Sequence, residues 1–140
     1  MFYVDTSMLV SALTNENATA TCQRWLAQVA PGELVISDWV ATEFSSALAL
    51  KLRTGQLNAE HRADCLAEFS RLIEESFHII AISRQDFRSA ARYTDMHETG
   101  LRAGDALHLA ICANHGFKLI TIDQTLATAA TKIGVPARCP

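Results

Sequence analysis

Short runs of β-branched and apolar residues alternate along this chain with longer stretches of helical periodicity. No other feature of the sequence limits the fold as strongly. Phe2–Val4, Leu34–Ile36, Ile79–Ile82 and Leu119–Ile122 read as strands, with Val135–Arg138 as a short final one. Each run is too brief for a helix and too continuously apolar for a one-sided strand, which is the signature of strands buried on both faces. Helical spacing fills the intervals at Ser7–Leu13, Ala18–Val29, Trp39–Arg53, a segment capped by Asn58, a segment from Ser83 to about Met96, Asp105–His115, and Thr125–Ile133. Within Trp39–Arg53 the apolar stripe is Val40, Phe44, Ala47 and Leu48. Such alternation predicts right-handed crossovers, and so an α/β fold with a mostly parallel sheet and helices on both faces. In sheets of this kind the carboxyl ends of the strands share one rim, where ligands bind.

The punctuation agrees with this reading. Pro31-Gly32 is a turn, and Gly55, Gly116 and Gly134 each follow a helical stretch where a left-handed stop is expected. Ser83-Arg84-Gln85-Asp86 has the form of a capping box, with Asp in the position usually held by Glu or Gln. The two glycines of His97–Gly104 predict a loop, and the apolar Asp105–His115 helix that follows is expected to be central and buried. With 140 residues and no linker, repeat or low-complexity segment, one domain spanning 1–140 is expected.

Acidic residues stand where that rim should be. Asp5 ends the first strand and Asp123 follows the fourth. Asp105 opens the buried helix, and Glu43 lies one turn, or about 6 Å, into the helix that leaves the second strand. Each has a plainer reading: Asp5, Asp105 and Asp123 could be helix N-caps, and Glu43 a solvated surface residue. Asp38, at the end of the second strand, rivals Glu43, although it is also well placed to cap that helix. Converging carboxylates repel one another and call for a cation. With no His or Cys at ligand spacing, the ions that suit them are hard ones, Mg²⁺ or Mn²⁺.

Composition constrains partners less. The formal net charge of −3 argues against nucleic acid, but setting the four acids aside leaves 12 basic against 11 acidic residues. No apolar run approaches the ~20 residues of a membrane helix, and the N-terminus lacks the basic region of a signal peptide. Cys22, Cys65, Cys112 and Cys139 form no CxxC pair and read as reduced thiols, an expectation of a cytoplasmic setting.

Tyr3-Val4-Asp5-Thr6-Ser7, Val40-Ala41-Thr42-Glu43-Phe44, Asp105-Ala106-Leu107-His108-Leu109-Ala110 and Leu119-Ile120-Thr121-Ile122-Asp123 together resemble the motifs of PIN-domain nucleases, and within them the VapC-type toxins of type II toxin–antitoxin pairs. The resemblance covers the whole chain in order. It implies a Mg²⁺- or Mn²⁺-dependent endoribonuclease with an RNA substrate and a small antitoxin partner. Asp5 and Asp105 match the positions that bind metal most directly, and Glu43 rather than Asp38 matches the position that, with Asp123, completes the acidic site. Ser7 and Thr121 match hydroxyl positions that hydrogen-bond the carboxylates.

Arg102, Lys51 and Arg53 are candidates for gripping an RNA backbone. His108, one turn after Asp105, reads as a satisfied core histidine before it reads as a site residue. A homodimer is expected, with Trp39–Arg53 as a candidate surface. The alternatives are a phosphoacceptor receiver-like module or a catalytically inactive RNA-binding PIN module. The first needs an acidic pair after the first strand and an Asp after the third, whereas this chain offers one acid and Ser83. The second is at odds with an intact acidic quartet.

Overall fold

The computed structural model describes residues 1–140. Five strands form one sheet: β1 (Phe2–Val4), β2 (Leu34–Ser37), β3 (Phe77–Ile80), β4 (Lys118–Ile120) and β5 (Ala137–Arg138). Their spatial order is β3-β2-β1-β4-β5, and every pairing is parallel. Seven α-helices connect them: α1 (Thr6–Leu13), α2 (Thr19–Gln28), α3 (Asp38–Arg53), α4 (Ala59–Ser76), α5 (Arg84–Asp95), α6 (Ala103–His115) and α7 (Gln124–Ile133). The chain steps outward from β1 to β3, then returns past β1 to begin β4. The strand order therefore reverses between β1 and β4, and crevices for ligands open at such reversals.

Strand β1 shows why both faces are covered. Side chains alternate, so Phe2 meets Trp25 of α2 edge-on at 5.6 Å between ring centroids, while Tyr3 turns the other way against His108 of α6. Tyr3 and Val4 are fully buried, as are Val35 and both Leu119 and Ile120. The core closes around the Ala106–Cys112 segment of α6, buried throughout as its all-round apolar sequence predicts.

Four details differ from the sequence reading. Strand β3 is Phe77–Ile80 rather than 79–82, because α4 runs straight into it and the ladder pairs Leu34 with Phe77 and Ser37 with Ile80. Strand β4 stops at Ile120, where its ladder with β1 ends at the Val4–Ile120 pair, and the Thr121 hydroxyl beyond it joins the hydrogen bonds of the acidic rim. The expected loop 97–104 contains a 3-10 turn at His97–Thr99, and its last two residues already belong to α6. Asp105 is therefore in the first turn of α6 and not its cap. Lastly, α3 turns Val40, Phe44 and Leu48 inward and leaves Leu50 as its one exposed large apolar residue. An apolar dimer face on α3 is not what the packing leaves. Exposed Phe87 and Met96 lie on and just after α5 instead.

Candidate active site

Asp5 sits where β1 hands over to α1. Its backbone N–H still bonds to Ile120 O of β4, so its carboxylate emerges at the reversal of strand order. As the N-cap of α1 it accepts from Met8 N at 3.3 Å; Ser7 Oγ donates to the same oxygen at 2.7 Å and Thr121 Oγ1 to the other at 2.9 Å. The two hydroxyls expected to hold a carboxylate both hold this one. Burial drives the Asp5 carboxyl above the usual carboxylate range, and His108 with the three hydrogen bonds offsets this only in part.

Asp123 follows β4 and caps α7, where one oxygen accepts from Thr125 N at 2.8 Å and Leu126 N at 3.1 Å. Its backbone N–H donates to Thr121 Oγ1, so a single threonine ties Asp5 to Asp123. Capping and a site role are compatible for both acids. The helix end takes one oxygen and aims the carboxylate.

Glu43 projects from the second turn of α3 and is held by two other helices. Thr6 Oγ1 of α1 donates to its Oε2, and His108 Nε2 of α6 reaches the same oxygen at 2.7 Å. The other oxygen, Oε1, lies against Gly104, where a Cβ would come within 2.8 Å of it and 3.2 Å of Trp39 Nε1. Burial alone would raise the Glu43 carboxyl, yet His108, Thr6 and the neighbouring Trp39 indole hold it below its ordinary range. The Trp39 N–H is itself buried and completes no hydrogen bond. Asp105, half-buried in α6, is raised above its ordinary range, first by burial and then by the charge of Asp123, with Glu43 adding to it against His108 and Arg102.

Asp5, Glu43, Asp105 and Asp123 line one cavity of about 330 Å³, together with Thr6, Ser7, Ser46 and His108. Glu43, Asp105 and Asp123 also face an adjoining polar groove with Trp39 and Arg102. Asp38 lies elsewhere, as the first residue of α3 beside Ile36, Phe69 and Ile73. Lys51 is engaged with Glu16 at 2.7 Å, and of the three basic candidates only Arg102 borders these cavities.

The donors are all oxygens, and two of the acids sit above their ordinary range, Asp5 through burial and Asp105 through burial and the neighbouring carboxylates. No three Asp, Glu, His or Cys side chains stand close enough together to hold a metal ion as a preformed set. Mg²⁺ does not need one, because it keeps several waters and takes one or two carboxylates. The residues present fit such an ion.

His108 is both things the sequence left open. It is almost fully buried and satisfied on both ring nitrogens, and one of its partners is a site carboxylate. Thr6, Tyr3, Ser37 and Gly104 were not singled out from the sequence. Only His108 carried a signal there, since i and i+3 from Asp105 share a helix face.

The PIN domain family matches residues 2–132. No curated protein sequence matches the chain. Among solved structures, the chain is similar to the sarcin-ricin loop cleaving toxin VapC20 of Mycobacterium tuberculosis, at 19% identity and a TM-score of 0.74 over 92% of this chain and 95% of that one. It is similar to FitAcB from Neisseria gonorrhoeae at 18% identity and a TM-score of 0.70, covering 98% and 96%. A third is VapBC2 from Rickettsia felis, bound to a DNA fragment from its promoter, at 14% identity and a TM-score of 0.69, covering 100% and 99%. At such identities the structures speak for the fold, while the family match spans nearly every residue from β1 to the end of α7. This chain is a member of the PIN domain family.

Proposed function

We propose that this protein is a Mg²⁺- or Mn²⁺-dependent endoribonuclease and the toxin of a type II toxin–antitoxin pair. The observation that carries the reading is the convergence of Asp5, Glu43, Asp105 and Asp123 on one cavity at the reversal of strand order. Asp5 and Asp105 are the residues that would hold the ion, with Glu43 and Asp123 completing the acidic set. A bound divalent cation would neutralise phosphate oxygens and acidify a water molecule. Asp123, exposed and with one oxygen free of its capping bonds, is suited to orient that water. Glu43, with Oε2 engaged by two donors, is suited to stay a fixed negative charge. Arg102, on the polar groove beside the acids, is placed to meet a phosphate.

The partner follows from the same acids. A nuclease in its own cytoplasm must be restrained, and a basic side chain on a flexible peptide can pair with the carboxylates in place of the ion. An apolar groove bounded by Leu13, Leu26, Leu34 and Leu72 offers such a peptide an anchoring surface. VapBC2 and FitAcB, similar in fold, support an antitoxin as the partner. A homodimer belongs to the proposal as well, read by sedimentation at micromolar concentration. No helix is long and apolar enough to cross a membrane.

The deciding experiment incubates the purified protein with a folded RNA bearing an exposed loop, and separately with duplex DNA, with Mg²⁺ and with EDTA. Cleavage of RNA in Mg²⁺ and none in EDTA is expected, since unpaired loop bases can be splayed and read. Full cleavage in EDTA, or equal cutting of duplex DNA, refutes the proposal. Expression alone should slow growth of the host, and a short neighbouring gene product should rescue it.

A further inference from the structure

A buried row of side chains runs from the middle of the sheet to the acidic cavity. Ser37 Oγ lies 2.7 Å from Tyr3 Oη, which lies 2.9 Å from His108 Nδ1. His108 Nε2 ends the row on Glu43 Oε2. Ser37 and Tyr3 have no exposed surface, and His108 is 2% exposed, so water cannot supply missing partners.

The chemistry gives the row a direction. An ionised carboxylate only accepts hydrogen bonds, so the proton between His108 and Glu43 belongs to Nε2. In the neutral ring Nδ1 is then an acceptor, and the Tyr3 hydroxyl must donate to it. The Tyr3 oxygen in turn accepts from Ser37 Oγ. Without Tyr3, Nδ1 loses its donor and only Glu43 still favours the proton on Nε2.

We propose that His108 is a positioning residue, locked by Tyr3 and Ser37 with its proton on Nε2 so that Glu43 is held in one orientation at the acidic cavity. This deepens the nuclease reading and rests on it. Glu43 reaches into the cavity from α3 on a flexible stem. Thr6 alone leaves it free to swing about a single bond, whereas two donors on Oε2 from α1 and α6 restrict it. The same restriction keeps Oε1 against Gly104.

The test uses the full chain with Mg²⁺ and a loop-bearing RNA. His108→Ala should lower kcat by roughly 10–100-fold, the range for partners that orient site ligands, with KM little changed. His108→Gln, which can still present an N–H to Glu43, should recover most of that loss, and a purely structural role predicts no such rescue. Tyr3→Phe removes one hydroxyl and should shift His108 toward the Nδ1–H tautomer, read from ring ¹⁵N shifts, while lowering kcat. Melting curves report whether each variant folds. If the His108 variants do not fold, Tyr3→Phe and the wild-type ring shifts decide. A wild-type His108 with a bare Nε2, a Tyr3→Phe protein unchanged in both tautomer and kcat, or a folded His108→Gln no better than His108→Ala overturns the proposal. If the wild type cleaves no RNA in Mg²⁺, the nuclease reading fails, and the ring shifts still judge the row.

Discussion

Gly104→Ala separates the fold of this protein from its site. Gly104 is in the first turn of α6, and its φ lies outside the left-handed region, so alanine is allowed by the backbone. Helix propensity favours alanine over glycine there by about 1 kcal/mol. Against this, the new Cβ would stand 2.8 Å from Glu43 Oε1 and 3.2 Å from Trp39 Nε1. Trp39 is a rigid ring, so the Glu43 carboxylate has to withdraw, by about 0.6 Å to regain ordinary contact at 3.4 Å. It cannot move freely, because its other oxygen is held by Thr6 and His108. The displacement cancels much of the propensity gain, and the unfolding free energy from urea denaturation should stay within about 1 kcal/mol of wild type. Activity should respond much more. A misplacement of about 1 Å in a catalytic site can cost 10²-fold, so about 0.6 Å predicts roughly a tenfold loss in kcat/KM. RNA cleavage and urea denaturation on the same preparation supply both numbers. A stable Gly104→Ala protein with full activity refutes the claim that the position of Glu43 matters to the chemistry.

Asp5→Asn should nearly abolish cleavage yet fold normally, since Asn caps helices as well as Asp and relieves a buried charge; a fully active Asp5→Asn refutes the metal mechanism. In metal-free protein, Asp5 and Asp105 have folded-state pKa values raised above the unfolded ones, so the folded state binds more protons and their contribution falls as pH rises through the raised values. Mg²⁺ should therefore raise Tm more at pH 7 than at pH 4, and an equal shift at both would contradict this. Asp86 has the opposite sign. Burial opposes its ionisation, but Asn114, Ser83 and His115 outweigh it and lower its pKa, so its stabilisation is present above the unfolded value and lost as pH falls through the folded one. Asp86→Ala should cost about 2 kcal/mol or more, from the lost N3 half of the capping box and an Asn114 amide left with only its longer bond to Ser89, without changing the metal dependence of cleavage; a loss under about 0.5 kcal/mol in urea denaturation would show that the buried box contributes little.

Much of this protein was legible in one dimension because its elements are built from local signals. Runs such as Leu34–Ile36, the capping box at Ser83 and the stop glycines act within a few residues, and a parallel α/β order follows from their alternation. The three aspartates were visible for the same reason, since each stands beside a strand end or helix start that the pattern marks. Boundaries set by pairing were not visible: β3 begins at Phe77 because β2 imposes its register, and no residue near Phe77 announces that. Nor does spacing along the chain reveal partners drawn from distant segments. Thr121 meets Asp5 across 116 positions, Tyr3 meets His108 across 105, and Gly104 leaves room for an oxygen of Glu43. Glu43 and Asp38 were equivalent by pattern until folding turned one into the cavity and the other away from it. Local chemistry determined the elements and the acids at their ends, and only the packing of three helices against the reversal of strand order decided which way those acids point.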